Sequence, residues 1–381
     1  MSAEHDPIDR ARRAAGAVLD PELRRSLDEL EMIRDVSVTP NGIRVEVALT
    51  IVGCPAADRI EREVRAAVAR VSDGPVEIAL SVMSPEERQA LITRLRAGRQ
   101  RGNPFVPGSL TRVIAVTSGK GGVGKSSITA NLAVALARRG RAVGVIDADI
   151  HGFSIPGLLG LVDDAGRTVR PTRIDDLIVP PVAFGVKTVS IGMFLREGDE
   201  GSAVAWRGPM LHRTVQQFLT DVYFGDLDVL VVDMPPGTGD VAISVGQLLP
   251  HAEVVVVTTP QRAAADVAVR SGLLARQSGQ PVLGVVENMA PLTLPDGSVL
   301  ELFGSGGGAQ VAAALTTDDE AIDVLASVPL SAGLRGAGDA GVPLVVSDPE
   351  DPAARAIEEL AERVLRVGRD LAGRPLPFGV R

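Results

Sequence analysis

The residues best suited to chemistry form a glycine-rich loop between an apolar run and an alanine- and leucine-rich helical segment. The loop consists of Gly119, Lys120, Gly121, Gly122, Val123, Gly124, Lys125 and Ser126. Glycines allow successive backbone N–H groups to converge on phosphate oxygens, and the start of the following helix adds partial positive charge. Lys125 is placed to contact the β- and γ-phosphates, Ser126 to ligate Mg²⁺, and Ser127 to donate to the α-phosphate. The pattern predicts a site for ATP and Mg²⁺.

Two acidic motifs follow other apolar runs of the chain. Asp147 and Asp149 follow the run 142–146, and Asp233 follows the run 229–232. Ligands of open α/β sheets bind where the parallel strands end, so these carboxylates are expected near the glycine-rich loop. Asp233 is placed as in a Walker B strand, where the carboxylate holds Mg²⁺ through water. The segment that follows Asp233 predicts a switch that senses the γ-phosphate through its glycines.

The order of the apolar runs divides the chain into two predicted domains. Residues 1–92 combine helical patterns at 7–17 and 22–30 with period-two strands, which is typical of a small α+β domain. The arginine- and glycine-rich segment 93–108 is expected to be a linker. Residues 109–381 alternate apolar runs with longer helical segments and predict an α/β domain around a mostly parallel sheet. Its strands are expected at 113–117, 142–146, 188–191, 229–232, 254–258, 282–286 and 324–328.

Composition limits the classes of partner and the compartment. The net charge is −9 and the aromatic content is 3%, so the chain repels phosphate backbones and offers few platforms for base stacking. We therefore expect no nucleic-acid partner. No run approaches the roughly 20 apolar residues that span a bilayer, and the N-terminus lacks a secretory apolar segment. With Cys54 as the only cysteine, these features predict a cytoplasmic protein without a membrane partner or an internal disulfide.

Lys120, directly after the first glycine of the loop, resembles the signature lysine of the deviant Walker A ATPases. The only lysines of the chain are at positions 120, 125 and 187, so a pair within one loop stands out from the composition. The resemblance implies a homodimer in which Lys120 reaches the phosphates of the opposite subunit and stabilises transition-state charge. An exposed loop lysine without a catalytic role is the alternative.

The same resemblance assigns roles to residues at the strand ends. Residues 143–149 resemble switch I, which implies that Asp149 activates the attacking water and Asp147 organises the metal shell, although the two roles could be reversed. Asn288 is implied to read adenine through its amide; an amide that binds loop backbone is the alternative. The expected catalytic residues for hydrolysis of ATP to ADP and phosphate are Lys120, Lys125, Asp149 and Asp233.

Longer motifs extend the resemblance along the chain. They are WRGPM at 206–210, LDVLVVDMPPGTGD at 227–240, FGSGG at 303–307, VPL at 328–330 and GDAGVP at 338–343. Together they resemble the Mrp/ApbC family of iron–sulfur cluster carrier ATPases. In the first domain, DPE at 20–22 and TIVGCP at 50–55 resemble the small domain of cytosolic iron–sulfur assembly factors. The resemblance implies iron–sulfur client apoproteins or assembly factors as partners.

One departure from the family concerns the cluster itself. Family members carry a C-x-x-C pair before the FGSGG position, whereas residues 290–298 of this chain read APLTLPDGS and predict a Pro-Asp-Gly turn. Because iron–sulfur clusters are held by thiolates and a symmetric dimer has only two copies of Cys54, direct carriage of a cluster would need further thiolates from glutathione or a client protein. Cys54 lies in a family motif, and it is either a cluster- or thiol-handling residue at a helix start or a small buried hydrophobe.

Three functions remain open on these observations. The first is ATP-dependent assembly or transfer of iron–sulfur clusters to client apoproteins. The second is a nucleotide-switched adaptor of the same family that never ligates a cluster. The third is a spatial organiser resembling the Min and Par ATPases, but the glutamate-containing helix expected at 353–371 would be a weak membrane anchor.

Overall fold

The protein is described by a computed structural model that covers most of both predicted domains. The described residues are 6–96, 102–149, 152–163, 165–194 and 208–366. Trp206 and Arg207 of the WRGPM motif, residues 97–101 of the predicted linker and residues 367–371 of the predicted C-terminal helix lie outside them.

The first domain contains a three-stranded sheet and three helices. Its elements are α1 (Pro7–Gly16), β1 (Ile33–Thr39), β2 (Gly42–Leu49), α2 (Ala57–Ala69), β3 (Val76–Val82) and α3 (Pro85–Arg96). Strand β2 pairs antiparallel with β1 and parallel with β3. Alternation along β2 buries Val45 and Val47, which share one apolar core with Ile60 and Val64 of α2. Helix α3 continues past residue 92, where the first domain was expected to end.

The prediction of a helix at 22–30 is wrong, and the segment forms turns instead. The carboxylate of Asp20 accepts hydrogen bonds from the N–H groups of Glu22 and Leu23 at 2.9 and 2.7 Å. Arg24 has a φ of 59°, in the left-handed region. These hydrogen bonds cap a single helical turn, and the left-handed Arg24 ends it, because a left-handed residue cannot continue a right-handed helix.

The second domain is built on an eight-stranded sheet. Its strands are β4 (Arg112–Ser118), β5 (Val143–Asp147), β8 (Val182–Ala183), β9 (Val186–Ser190), β10 (Val229–Asp233), β11 (Glu253–Thr258), β12 (Val282–Ala290) and β15 (Val324–Pro329). The order across the sheet is β15-β12-β11-β4-β10-β5-β9-β8. Every neighbouring pair is parallel except β8 and β9. This arrangement confirms the predicted α/β class with a mostly parallel sheet.

Helices cover both faces of this sheet. They are α4 (Lys125–Arg138), α5 (Ile155–Leu158), α6 (Gly208–Asp221), α7 (Asp240–Leu248), α8 (Arg262–Gln277), α9 (Gly307–Leu315), α10 (Ala332–Asp339), α11 (Leu344–Ser347) and α12 (Pro352–Arg366). One apolar core contains α4 and α12, and the other contains α6 to α9. Ile357, Leu360 and Val364 of α12 are fully buried, and each contributes about 1.5–3 kcal/mol to folding. Among the described helices, none is both long and apolar enough to cross a bilayer.

A short hairpin of the second domain packs into the core of the first. The hairpin consists of β6 (Thr172–Ile174) and β7 (Leu177–Val179). Ile174, Leu177 and Val179 belong to the same apolar cluster as the first-domain core. The Thr172 hydroxyl donates to the Glu22 carboxylate at 3.0 Å, so polar contacts join the two domains as well.

Candidate nucleotide-binding site

The glycine-rich loop lies between β4 and α4, as its pattern predicts. Gly124 precedes the helix with a φ of 80°, a left-handed conformation that residues with a side chain rarely adopt. At Gly119, a Cβ atom would lie 2.3 Å from backbone atoms of Val267 and Ala268 in α8. The conformation of the loop and its packing on α8 therefore both require glycine.

Lys125, Ser126 and Asp233 form the centre of the site. The Oδ2 atom of Asp233 accepts hydrogen bonds from Lys125 Nζ and Ser126 Oγ, each at 2.6 Å. Thr129, one turn further along α4, donates to Asp233 Oδ1 at 2.7 Å. Lys125 and Asp233 are both buried, and buried charges are stable only when they are paired. Thr129 was missed in the sequence, although its spacing of four residues from Lys125 places both on one helix face.

A cavity of about 380 Å³ adjoins this cluster, and its size suits a small-molecule ligand. Its lining residues are Ser118, Lys120, Gly121, Gly122, Gly124, Lys125, Ser126, Ser127, Asp149, Gly152, Ser154 and Pro236. The Oδ2 atom of Asp149 lies 3.6 Å from Lys125 Nζ. The structure thus brings Asp149 to the glycine-rich loop, as predicted from its position after β5.

Asp147 lies behind the cavity rather than along its wall. It is fully buried, and it is paired in register with Asp233 on the neighbouring strand. Its Oδ2 atom accepts from the Ser190 hydroxyl at 3.0 Å, and its Oδ1 atom accepts from the Asp149 N–H at 3.2 Å. These contacts engage both oxygens and hold the backbone of Asp149. The role of Asp147 in organising the metal shell stays a prediction.

The protonation of Asp147 follows from its surroundings. Burial raises the pKa of its carboxyl well above the usual range, and the nearby Asp233 carboxylate adds to the rise. Lys125 and the Ser190 hydrogen bond oppose it. The raised pKa favours a neutral carboxyl next to the charged Asp233.

Lys120 lies at the rim of the same cavity and is partly exposed. Its Nζ atom lies 3.3 Å from the Oε1 atom of Gln261, the residue that precedes α8 in the same chain. This contact separates Lys120 from Lys125, whose ammonium is buried against Asp233. The two lysines of the loop therefore differ in position, as expected if they act on different molecules.

Asn288 supports the loop from the end of β12. Its Nδ2 atom donates to the Val123 carbonyl at 2.8 Å, and the side chain is buried. A Cβ atom on Gly124 would lie 2.2 Å from the same Nδ2 atom, so the amide packs directly against the loop. This contact is the one expected of the alternative, in which the amide binds loop backbone, and adenine reading by Asn288 stays a prediction.

The predicted switch segment after β10 is hydrogen-bonded to the strand that leads into the loop. The Gly237 N–H donates to the Ser118 carbonyl at 2.7 Å, and the Met234 N–H donates to the Val116 carbonyl at 3.0 Å. The Ser271 hydroxyl of α8 donates to the same Ser118 carbonyl at 3.3 Å. Movement of this segment would therefore act on the phosphate loop directly.

The FGSGG motif places α9 against the end of the sheet. At Gly307, where α9 begins, a Cβ atom would lie 2.4 Å from the Thr259 carbonyl oxygen. The Gly308 N–H donates to the buried carboxylate of Glu287. An acidic side chain in this position stabilises the start of the helix. This family motif thus has a packing role.

Cys54 is buried in the core of the first domain. Burial raises the pKa of its thiol to about 11, and the carboxyls of Glu22 and Asp20 add to the rise. Hydrogen bonds from the backbone of Ala56 and Ala57 oppose it. The raised pKa disfavours the thiolate that a cluster- or thiol-handling residue would use, and the role of Cys54 stays a prediction.

The stretch 292–300, which contains the predicted Pro-Asp-Gly turn, forms a second short hairpin. It consists of β13 (Leu292–Thr293) and β14 (Val299–Leu300), joined by the predicted Pro-Asp-Gly turn. Val299 and Leu300 are exposed. Within the described ranges, no group of three or more His, Cys, Asp or Glu side chains could hold a metal ion.

The residues at the loop fit a nucleotide with Mg²⁺. Ser126 Oγ and Asp233 Oδ2 are oxygen donors 2.6 Å apart, and Mg²⁺ at phosphate sites is usually held by one or two such groups together with the phosphates. The N-terminus of α4 and the ammonium of Lys125 supply positive charge for phosphate oxygens.

Comparisons with known proteins match both domains of the chain. A family described as ParA, NUBPL iron-transfer P-loop NTPase, matches residues 109–365, and a family described as iron–sulfur cluster assembly protein matches residues 9–89. The iron–sulfur cluster carrier protein of Mycobacterium tuberculosis is 51% identical over 370 residues, covering 96% of this chain and 95% of the relative. That of Synechocystis is 40% identical, covering 91% and 94%.

Among solved structures, the nucleotide-binding protein of Archaeoglobus fulgidus in complex with ADP is 34% identical, with a TM-score of 0.49. The match covers 60% of this chain and 86% of that protein. The family matches include both the Lys125–Ser126–Asp233 cluster and the first domain, and they confirm the resemblance carried by the longer sequence motifs. The chain belongs to the family of NUBPL-type iron-transfer P-loop NTPases.

Proposed function

We propose that the protein binds and hydrolyses Mg·ATP and uses the nucleotide state to deliver iron–sulfur clusters to client apoproteins in the cytoplasm. The observation that carries the proposal is the convergence of Lys125 and Ser126 on Asp233, at 2.6 Å each, beside the glycine-rich loop. The proposal that the cargo is an iron–sulfur cluster is supported by the relatives, which are named iron–sulfur cluster carrier proteins and align with nearly the whole chain.

Lys125 is the group that binds the β- and γ-phosphates in this proposal. To do so its ammonium exchanges the Asp233 carboxylate for phosphate oxygens, so that one charged partner replaces another. Mg²⁺, when bound by Ser126 and Asp233, offsets the negative charge of the phosphates. Thr129 keeps the second oxygen of Asp233 fixed during this exchange, and Ser127 at the cavity wall donates to the α-phosphate.

Asp149 is the group that orients the attacking water. It lines the cavity, and its carboxylate is 3.6 Å from the Lys125 ammonium. Its backbone is held by Asp147, which in turn is held by Ser190 on β9. This chain of contacts fixes the base relative to the phosphate loop, and precise placement is the main contribution of a protein to phosphoryl transfer.

Lys120 acts on the opposite subunit of a homodimer in the same proposal. Its position at the rim, partly exposed and apart from the buried Lys125, supports this role. Mixing two inactive variants tests it. Lys120→Ala and Lys125→Ala subunits should each be inactive alone. An equimolar mixture should recover roughly a quarter of wild-type ATP turnover, because about half of its dimers are heterodimers and one of the two sites in each heterodimer is complete. An unaltered turnover for Lys120→Ala would remove the trans-acting role.

A nucleotide-switched adaptor is the second candidate, and the hairpin at 292–300 favours it. This hairpin stands where the family's thiol pair would be, and Cys54 is buried with a raised pKa. Anaerobic reconstitution with iron and sulfide separates the two candidates. A cluster that absorbs in the visible and co-elutes with a dimer supports carriage, whereas intact ATPase activity without a cluster supports the adaptor. The Min- and Par-like alternative predicts ATP-dependent co-sedimentation with liposomes or DNA.

A further inference from the structure

A second cavity, of about 450 Å³, lies where the first domain meets the large sheet. The first domain contributes residues 23–25, which follow the Asp-Pro-Glu motif. The second domain contributes the end of α4 and the amino-terminal ends of β5 and β9. The phosphate loop lies at the carboxyl ends of the parallel strands, so this cavity is at the opposite edge of the sheet.

Cationic side chains dominate the lining of this interdomain cavity. Arg24, Arg25, Arg141 and Lys187 line it, against the single acidic side chain of Asp226. This concentration of positive charge is not expected from the composition, since the chain carries a net charge of −9 and only three lysines. Arginine guanidinium groups bind carboxylate and phosphate with two parallel hydrogen bonds, so the lining is suited to an anion.

Lys187 forms the buried part of this lining, with 7% of its surface exposed. Its Nζ atom donates to the Phe224 carbonyl at 2.9 Å and lies 5.4 Å from the centre of the Tyr223 ring. Asp20 is close enough to Lys187 to interact with it electrostatically. If the charges of Lys187 and Asp20 cancel, the lining still contains three arginines and the Asp226 carboxylate. This leaves an excess of two positive charges for a ligand.

The Asp-Pro-Glu motif shapes the turn that carries the two first-domain arginines. The carbonyl of Asp20 accepts from the Arg24 N–H at 2.9 Å, and the Asp20 N–H donates to the Arg25 carbonyl at 2.8 Å. These bonds hold Arg24 in its left-handed conformation, with a φ of 59°. Strained residues with side chains are concentrated at ligand sites, where the surrounding structure maintains them.

From these features we propose a second anion site, which takes a compact polyanion carrying at least two phosphate or carboxylate groups. The ligand bridges the two domains, because Arg24 belongs to the first and Arg141 to the second, and both are exposed at the rim. Occupancy therefore strengthens the docking of the two domains.

Titration calorimetry with pyrophosphate and with citrate tests the proposal. The full-length protein is saturated with ADP in metal-free buffer at low ionic strength, so that the phosphate loop is already occupied. We expect one saturable site per chain for at least one probe, with Kd raised at least tenfold by Arg24→Ser and by Arg141→Ser. Arg13→Ser is the control, since this exposed arginine of α1 lies outside the cavity. Binding of pyrophosphate alone identifies a phosphate ligand, and binding of citrate alone identifies a carboxylate ligand.

The same titration in Lys125→Ala protein separates the two anion sites. Saturable binding that persists there, and that is lost in Arg141→Ser, assigns the ligand to the interdomain cavity. Thermal unfolding without probe shows whether each variant is folded. If Arg24→Ser is not folded, the binding measured with Arg141→Ser, which lies in the other domain, tests the proposal. The proposal is overturned if neither probe binds saturably, or if Arg13→Ser weakens binding as much as the cavity variants do.

Discussion

Lys125 and Asp233 form a buried ion pair in which Nζ and Oδ2 lie 2.6 Å apart. The same carboxylate also accepts hydrogen bonds from Ser126 and Thr129, so three side chains of α4 converge on the end of β10. Breaking a buried pair without replacement is costly, because it leaves an uncompensated charge. In the proposed complex, phosphate oxygens replace Asp233 as the partner of Lys125. The same lysine therefore stabilises the folded chain without nucleotide and binds the phosphates when nucleotide is present.

Removal of the Lys125 ammonium should affect nucleotide binding and stability together. Lys125→Ala should weaken ATP binding by about 2–5 kcal/mol and lower the free energy of unfolding by about 3–5 kcal/mol, because Asp233 is left buried and unpaired. Calorimetry and urea unfolding measure the two effects. Lys120→Ala is the matched control for stability, and it should leave the free energy of unfolding nearly unchanged. Equal losses in the two variants would contradict the distinct positions of the two lysines.

The loop glycines should differ sharply in tolerance of a methyl group. Gly119→Ala should lower the free energy of unfolding by about 1–3 kcal/mol, since its Cβ would lie 2.3 Å from the backbone of Val267 and Ala268. Gly121→Ala is the matched control, because no atom lies within 4 Å of the Cβ position there. Chemical denaturation of both variants without nucleotide provides the comparison. A larger loss at position 121 would contradict the packing of the loop on α8.

Asn288→Ala should weaken nucleotide binding without changing the choice of base. Loss of the 2.8 Å hydrogen bond leaves the Val123 carbonyl buried without its donor and loosens the loop, at a cost of about 1–3 kcal/mol. Binding of ATP and GTP, measured side by side, should fall by the same factor. A selective loss of ATP binding would instead support the adenine-reading role.

The stability of the domain interface should depend on pH through Glu22. Burial raises the pKa of this carboxyl to about 7 from its usual 4.5, although the Thr172 hydrogen bond opposes the rise. The folded chain then binds the proton more tightly than the unfolded chain does. The contribution of Glu22 to the free energy of unfolding is therefore fully present below pH 4.5, and it is lost as pH rises to about 7.

Glu22→Gln provides the measurement of this pH dependence. The amide can still accept the Thr172 hydrogen bond but does not titrate, so the variant should be more stable than wild type at pH 8 by about 1–2 kcal/mol, after allowance for partial exposure. At pH 4.5 and below the two proteins should be equally stable. Urea unfolding at both pH values measures the difference. A difference that does not change with pH would contradict the raised pKa of Glu22.

Residues fixed by local spacing were predictable from the sequence. The glycine-rich loop, Lys125 and Ser126 follow one another along the chain, and Asp233 ends an apolar strand in a family motif. Their convergence follows from the parallel sheet, since strand ends meet at one edge.

Residues whose roles depend on neighbouring strands were not predictable. The Oδ2 atom of Asp147 accepts a hydrogen bond from Ser190, 43 residues away, and the amide of Asn288 binds a carbonyl of the loop, 165 residues away. No periodicity within β5 or β12 indicates these partners. The helix expected at 22–30 is absent for a local reason, because Arg24 adopts a left-handed φ of 59° directly after the turn that Asp20 caps.

The most direct test of nucleotide-driven cluster delivery is anaerobic transfer from the reconstituted protein to an apo-ferredoxin, followed by the visible circular dichroism of the client. With Mg·ATP, the wild-type protein should load the client, and Lys125→Ala should do so at least tenfold more slowly. Cys54→Ser should retain transfer, because the thiol is buried with a pKa of about 11. Client loading no faster than from free iron and sulfide, or a Lys125→Ala rate equal to that of wild type, would contradict the proposed function.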